Sequence, residues 1–283
     1  PDPARPVEVF AQAPVDIVAA FYPAAVSVQY VSDPGEEPWT KEGWGVWYAP
    51  ARPEALLSNL RTIIGNRPYL IHATRDATVT VEGTVSLSYV PWKPNSLNWV
   101  GFNLDPRNPP TFADFFAGSA AHAPGRIFQL VDNRWRKVST PETTPMKPGE
   151  AYWVYCDGRS SFQGPLSVSV TGLFGIDFGS NSDTAAFTVV NRASQPQGIL
   201  LEPILPDGLP LCWIERDWET LADTYVPLSS TLELAPLEPG DSATRRIHLR
   251  REKLTEPRQG MILKLTGSGG QIQWLPIQAR RDP

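Results

Sequence analysis

Thirty of the 283 residues are proline, about twice the usual share near 5 %. Proline lacks an amide N–H, breaks helix interiors, and in sheets is confined to edges, turns and first positions. A chain so rich in it is neither a helical bundle nor a coiled coil; short strands between turns remain. The 21 glycines keep the combined share below the roughly 25–30 % typical of low-complexity disorder. A hydrophobic fraction of 41 % supplies apolar surface for packed cores, and the length predicts two domains. No run approaches the roughly 18 apolar residues of a membrane-spanning helix. The formal charge of −5 argues against a broad nucleic-acid-binding surface.

Periodicity agrees with the proline argument. Val26–Val31, Val79–Val81 and Leu166–Val170 alternate at period two, as half-buried strands do. Two stretches read as short helices. Pro53–Arg61 carries apolar residues at 56, 57 and 60, and Phe112–Ala117 lies between Thr111 and the stop signal Gly118.

The pieces align as an internal repeat. The first unit runs from Gly43-Trp44-Gly45-Val46-Trp47-Tyr48 through a proline turn and the first helix to Tyr69-Leu70-Ile71-His72, closing at Val79–Gly83. The second runs from Asn98-Trp99-Val100-Gly101-Phe102 through Pro106 and the second helix to Ala151-Tyr152-Trp153-Val154-Tyr155, closing at Phe162–Leu166. An extra hairpin, Ile127–Val138, sits inside the second unit. These motifs, in this order over roughly residues 40–170, resemble segments of uncharacterised bacterial secreted and cell-surface proteins with tandem Trp and Ala-Tyr-Trp-Val-Tyr β-repeats. The resemblance implies a surface location and brings no activity or binding residue with it.

Beyond residue 170 short strands recur with turns such as Pro239-Gly240-Asp241-Ser242 between them, which predicts a sandwich. Its opening and that turn resemble immunoglobulin-like modules of bacterial surface proteins, and a fibronectin-like sandwich fits equally. The expected architecture is therefore all-β: a duplicated Trp-rich domain with two short helices over residues 1–170, then an immunoglobulin-like sandwich over 171–283. The chain opens on Pro1 without an initiator methionine, which reads as a leader already removed.

Chemistry is sparse. The three histidines, His72, His122 and His248, lie in unrelated contexts and form no metalloprotease motif. No G-x-S-x-G elbow occurs. Thr266-Gly267-Ser268-Gly269-Gly270 is followed by a strand rather than a helix, so it reads as a hairpin turn and not a phosphate loop. Among the carboxylates, Asp114 on the second helix is the one best suited to a cleft, although capping and solvated roles outweigh catalysis. Asp177, Asn181, Ser182 and Asp183 could form an irregular calcium loop, but the EF-hand Gly and Glu are missing. No cofactor and no metal site is expected.

The two cysteines, Cys156 and Cys212, could form a disulfide worth about 4 kcal/mol that would cross the domain boundary; two separate buried thiols are the alternative. Seven of the ten tryptophans fall between residues 39 and 153. Trp44, Trp99 and Trp153 occupy regular strand positions and read as core, since each buried aromatic removes about 150–250 Å² from water. Trp39 and Trp135 are the better candidates for stacking on a glycan. The basic run Arg245–Lys253 invites a polyanion, but alternation around Ile247 and Leu249 reads as the charged face of an edge strand. Together these readings predict a non-enzymatic extracellular or cell-surface structural or adhesive protein, with protein partners or copies of itself joined through strand edges. The alternative is a carbohydrate-binding module.

Overall fold

The computed structural model describes residues 3–22, 33–34, 43–87, 89–122, 126–172, 174–204, 208–217, 219–228 and 231–281. The protein is all-β, with two short α-helices and an immunoglobulin-like sandwich.

The first sheet has the order β2-β1-β3, built from β1 (Val15–Phe21), β2 (Trp44–Tyr48) and β3 (Leu70–Ala73), all antiparallel. A one-turn helix, α1 (Pro6–Val9), precedes it. Pro53–Leu57 forms a 3-10 helix whose Leu56 and Leu57 are 97 % and 71 % exposed, while Leu60 beyond it is buried. A single 3-10 turn is too short to carry an apolar stripe, so the expected amphipathic helix is not made. Val79–Val81 is no strand, and Val26–Val31 lies outside the described residues.

The second sheet has the order β4-β7-β5-β6, from β4 (Ser96–Gly101), β5 (Ile127–Val131), β6 (Arg134–Lys137) and β7 (Ala151–Cys156). Asp132 and Asn133 both have positive φ, 50° and 59°, and form the two-residue turn between β5 and β6. That conformation matches the strand twist and favours these residue types. Between β4 and β5 lies α2 (Phe112–Phe116), started by the Thr111 hydroxyl, which accepts the Asp114 N–H at 3.1 Å. Its Phe112, Phe115 and Phe116 are buried together with Met146, Tyr152 and Phe162. The two units thus share the order strand, proline turn, short helix, strand. Their pairing differs: β4 lies directly against β7, whereas β1 separates β2 from β3.

The remaining strands form two five-stranded sheets packed face to face. One has the order β13-β12-β15-β10-β8: β8 (Leu166–Val170), β10 (Thr184–Asn191), β12 (Leu211–Arg216), β13 (Asp223–Pro227) and β15 (Ser242–Leu249). The other has the order β14-β11-β16-β17-β9: β9 (Ile176–Asp177), β11 (Gln197–Ile204), β14 (Leu232–Leu237), β16 (Arg258–Gly267) and β17 (Ile272–Arg280). Alternate residues such as Phe187, Val189, Leu201, Ile247, Leu263 and Leu275 fill the space between. Leu166–Val170, expected as a strand at the end of the first domain, is an edge strand of the sandwich.

The second unit is fixed to the sandwich through the β16–β17 turn, the glycine-rich hairpin expected from sequence. Asp105 N–H donates to Gly270 O at 2.8 Å and Ile272 N–H to Asn103 O at 2.9 Å. The Gln271 side chain accepts Leu166 N–H and donates to Gln163 O, both at 2.7 Å. Gly118 lies so close to the Arg192 carbonyl that a Cβ there would overlap it, which explains the glycine after α2.

Candidate functional site

Trp39 lies outside the described residues. Trp135, on β6, is half-buried, and its backbone N–H donates to the Asp33 carboxylate at 2.6 Å. Its ring meets Trp99 and Trp153 edge-on, at centroid distances of 6.5 and 6.2 Å, while those two stack on each other at 5.8 Å. Trp44 and Phe21 of the first sheet pack on the same group, at 5.4 Å from Trp99 and 5.1 Å from Trp153. The tryptophan excess therefore joins two small sheets that could not bury enough surface separately. The indole N–H groups of Trp99 and Trp153 are buried without partners among the described residues.

Each histidine has an identifiable setting. His72 Nδ1 donates to Asp16 at 2.5 Å, and Arg52 holds the other oxygen of that carboxylate at 2.6 Å. Among the described residues no hydroxyl or thiol is hydrogen-bonded to this imidazole. His122 is completely buried and walled by Trp92 at 4.0 Å, Phe116 and Phe162. Its Nδ1 is hydrogen-bonded to Ser119 Oγ at 2.7 Å, and Nε2 has no partner among the described residues. Burial pushes its pKa down to about 4, leaving the ring neutral at pH 7. The serine three residues before the histidine was the signal for this pair. The walls come from distant residues, which made its burial illegible. His248, on β15, packs against Tyr225 at 4.8 Å.

The loop considered for calcium already contains a cation. The Arg251 guanidinium donates to Asp183 Oδ1 at 2.8 Å, Gly179 O at 3.1 Å and Ser182 O at 2.5 Å, and also to Arg280 O. Asp177 turns away to Gln278, 2.8 Å distant, and to Gly179 N–H. Among the described residues no three His, Cys, Asp or Glu side chains converge on a metal position.

Of the two alternatives left open for the cysteines the second holds, and the edge reading of the basic run is corrected. Cys156 and Cys212 are free thiols, both buried. Cys156 donates to Gly158 O in the second unit, and Cys212 sits on β12 of the sandwich between the core residues Leu211 and Trp213. The basic run does not lie on an edge: β15 is paired on both sides, with β10 and β12. Its alternation does give a polar outer face, where Arg246 pairs with Asp223 at 3.6 Å.

The open edge lies one strand further out. Among the described residues β13 is paired only with β12, and Thr224, Tyr225, Val226 and Pro227 are exposed. Tyr225 and Val226 are 45 % and 37 % exposed, giving the edge an apolar centre between Asp223 and Pro227. Beneath β12, between the two sheets, is a cavity of about 510 Å³ floored by Trp213 and Leu234 and rimmed by Glu215, Glu233 and Arg245. A strand laid along β13 would extend this sheet and send alternate side chains toward its inner face.

No protein-family model matches the chain, and no curated protein matches it. Among solved structures it is similar to a FixG-related protein from Vibrio parahaemolyticus, at 17 % identity and TM-score 0.27, over 42 % of this chain and 98 % of that one. It is similar to the periplasmic chaperone SfaE at 10 % identity and TM-score 0.26, over 42 % of this chain and 57 % of that one. A lipoprotein from Bacteroides thetaiotaomicron shares 18 % identity and TM-score 0.29, over 44 % of this chain and 85 % of that one. Likeness at this level carries no argument about activity or partners. No helix among the described residues is long and apolar enough to cross a membrane.

Proposed function

We propose that this chain is a non-enzymatic, extracytoplasmic surface module of bacterial type that assembles with copies of itself by strand addition. The observation that carries the reading is β13, an exposed edge with Tyr225 and Val226 at its centre. Main-chain hydrogen bonds along such an edge supply affinity, and alternate side chains supply selectivity. The histidine settings support the non-enzymatic part. Among the described residues His72 is bonded to Asp16 alone, and His122 is sealed behind aromatic rings. Sedimentation of the native protein over a wide concentration range tests the reading. Association that rises with concentration is expected, and Tyr225→Lys with Val226→Lys should abolish it without changing the melting temperature. A strict monomer at every concentration would refute it.

A second reading, glycan binding, is favoured by the half-exposed ring of Trp135 at the rim of the aromatic cluster. It predicts that Trp135→Ala removes binding and leaves the fold intact.

A further inference from the structure

A cleft of about 310 Å³ opens between the second unit and the sandwich. Ligand sites favour such domain interfaces, and this volume lies near the lower end of their range of about 300–1,000 Å³. One wall is the segment leading into α2, from Asn108 to Asp114; the other is the turn before β11, from Ala193 to Gln197. The hydrogen bonds from Asp105 to Gly270 and from Ile272 to Asn103 lock the two walls together, so the cleft is formed before anything enters it.

Its floor holds a buried polar side chain that the fold does not use. Gln197 is 2 % exposed, its amide makes no hydrogen bond among the described residues, and its Oε1 is buried without a partner. Leaving such a group unpaired costs more than replacing it by an apolar one, so its retention asks for a reason. At the rim, Asp114 accepts the Thr111 hydroxyl through Oδ2 at 2.6 Å, and among the described residues neither its Oδ1 nor the side-chain amide of the exposed Gln195 has a hydrogen-bond partner. Pro110 and Pro165 are buried in the walls and present C–H faces.

The lining excludes most ligand classes. It contains no Lys, Arg or His to meet an anion, and no aromatic ring to stack on a flat heterocycle. A single carboxylate is too few for a hard divalent cation, which takes six or more oxygens. Amides offering a donor and an acceptor side by side, one carboxylate and aliphatic ring faces match vicinal hydroxyls on a puckered ring. We propose that this cleft binds a neutral saccharide of one or two rings. The proposal takes its ligand class from the glycan-binding reading and moves the site from Trp135 to the cleft, independently of assembly through β13.

Ligand-observed NMR on the full chain tests it, with glucose, galactose, mannose, N-acetylglucosamine, maltose and cellobiose as probes at about 10 mM. At least one is expected to bind, with Asp114→Asn weakening it roughly tenfold and Gln197→Met abolishing it. Since Gln197→Met removes an unpaired buried amide, its melting temperature should stay level or rise, which separates lost binding from lost folding. Trp135→Ala should leave affinity unchanged. Binding that is lost in Trp135→Ala and kept in both cleft variants overturns the cleft and preserves the glycan reading. Silence from all six sugars overturns both, as does capture of a peptide by the cleft with no sugar bound.

Discussion

At the scale of single residues the molecule rests on a few buried polar groups, and His122 is the most exposed to pH. Its folded pKa is about 4 against an ordinary value of 6.5. Between those values the unfolded chain holds a proton that the folded chain does not. Stability is therefore full above pH 6.5 and falls as pH drops toward 4, by about 3 kcal/mol. Denaturant midpoints measured across this window should show the slope, and His122→Phe should flatten it. Asp105, whose carboxyl is held below the usual range by the Arg107 guanidinium, loses its contribution only at lower pH. Sequence alone leaves His122 without a partner, although Ser119, to which it is hydrogen-bonded, lies only three residues away. Its burial was not legible either, because Trp92 and Phe162 arrive from sequence-distant segments. The cleft around Gln197 was hidden for the same reason, although Asp114 on its rim had been marked as the acid best placed for one.

Elements with a local cause were legible and elements with a non-local cause were not. Period-two alternation located β8, and the glycine-rich stretch at 266–270 located the β16–β17 turn, because each depends on the residues it contains. The rank of a strand within its sheet depends on partners elsewhere. Hence β15, read as an edge from its arginines, lies between β10 and β12. The Asp177–Asp183 loop shows a further limit: its acidic spacing suggested calcium, while the cation comes from Arg251, far along the chain. Calcium or a chelator should leave the melting temperature of the native protein unchanged. Arg251→Ala should lower it by about 1–3 kcal/mol equivalent, since several carbonyls lose a charged donor. A thermal shift assay with both additions decides the point.

Over the whole molecule, three small bodies gain stability from their junctions. Tryptophans join the two Trp-bearing sheets, and Gln271 with the backbone of the β16–β17 turn joins the second unit to the sandwich. Calorimetry should show the second unit and the sandwich melting in one transition. Gln271→Ala leaves the Leu166 N–H and Gln163 carbonyl unpaired and should cost about 2–4 kcal/mol, splitting that transition. The proposed assembly runs through the β13 edge. Amide hydrogen exchange along β13 tests it most directly, compared at low and high protein concentration. The N–H groups of Asp223 and Tyr225, which point away from β12, should gain protection as concentration rises, while those of Thr224 and Val226, already directed at β12, and the strands β12 and β15 stay unchanged. Equal exchange in β13 at both concentrations would contradict it.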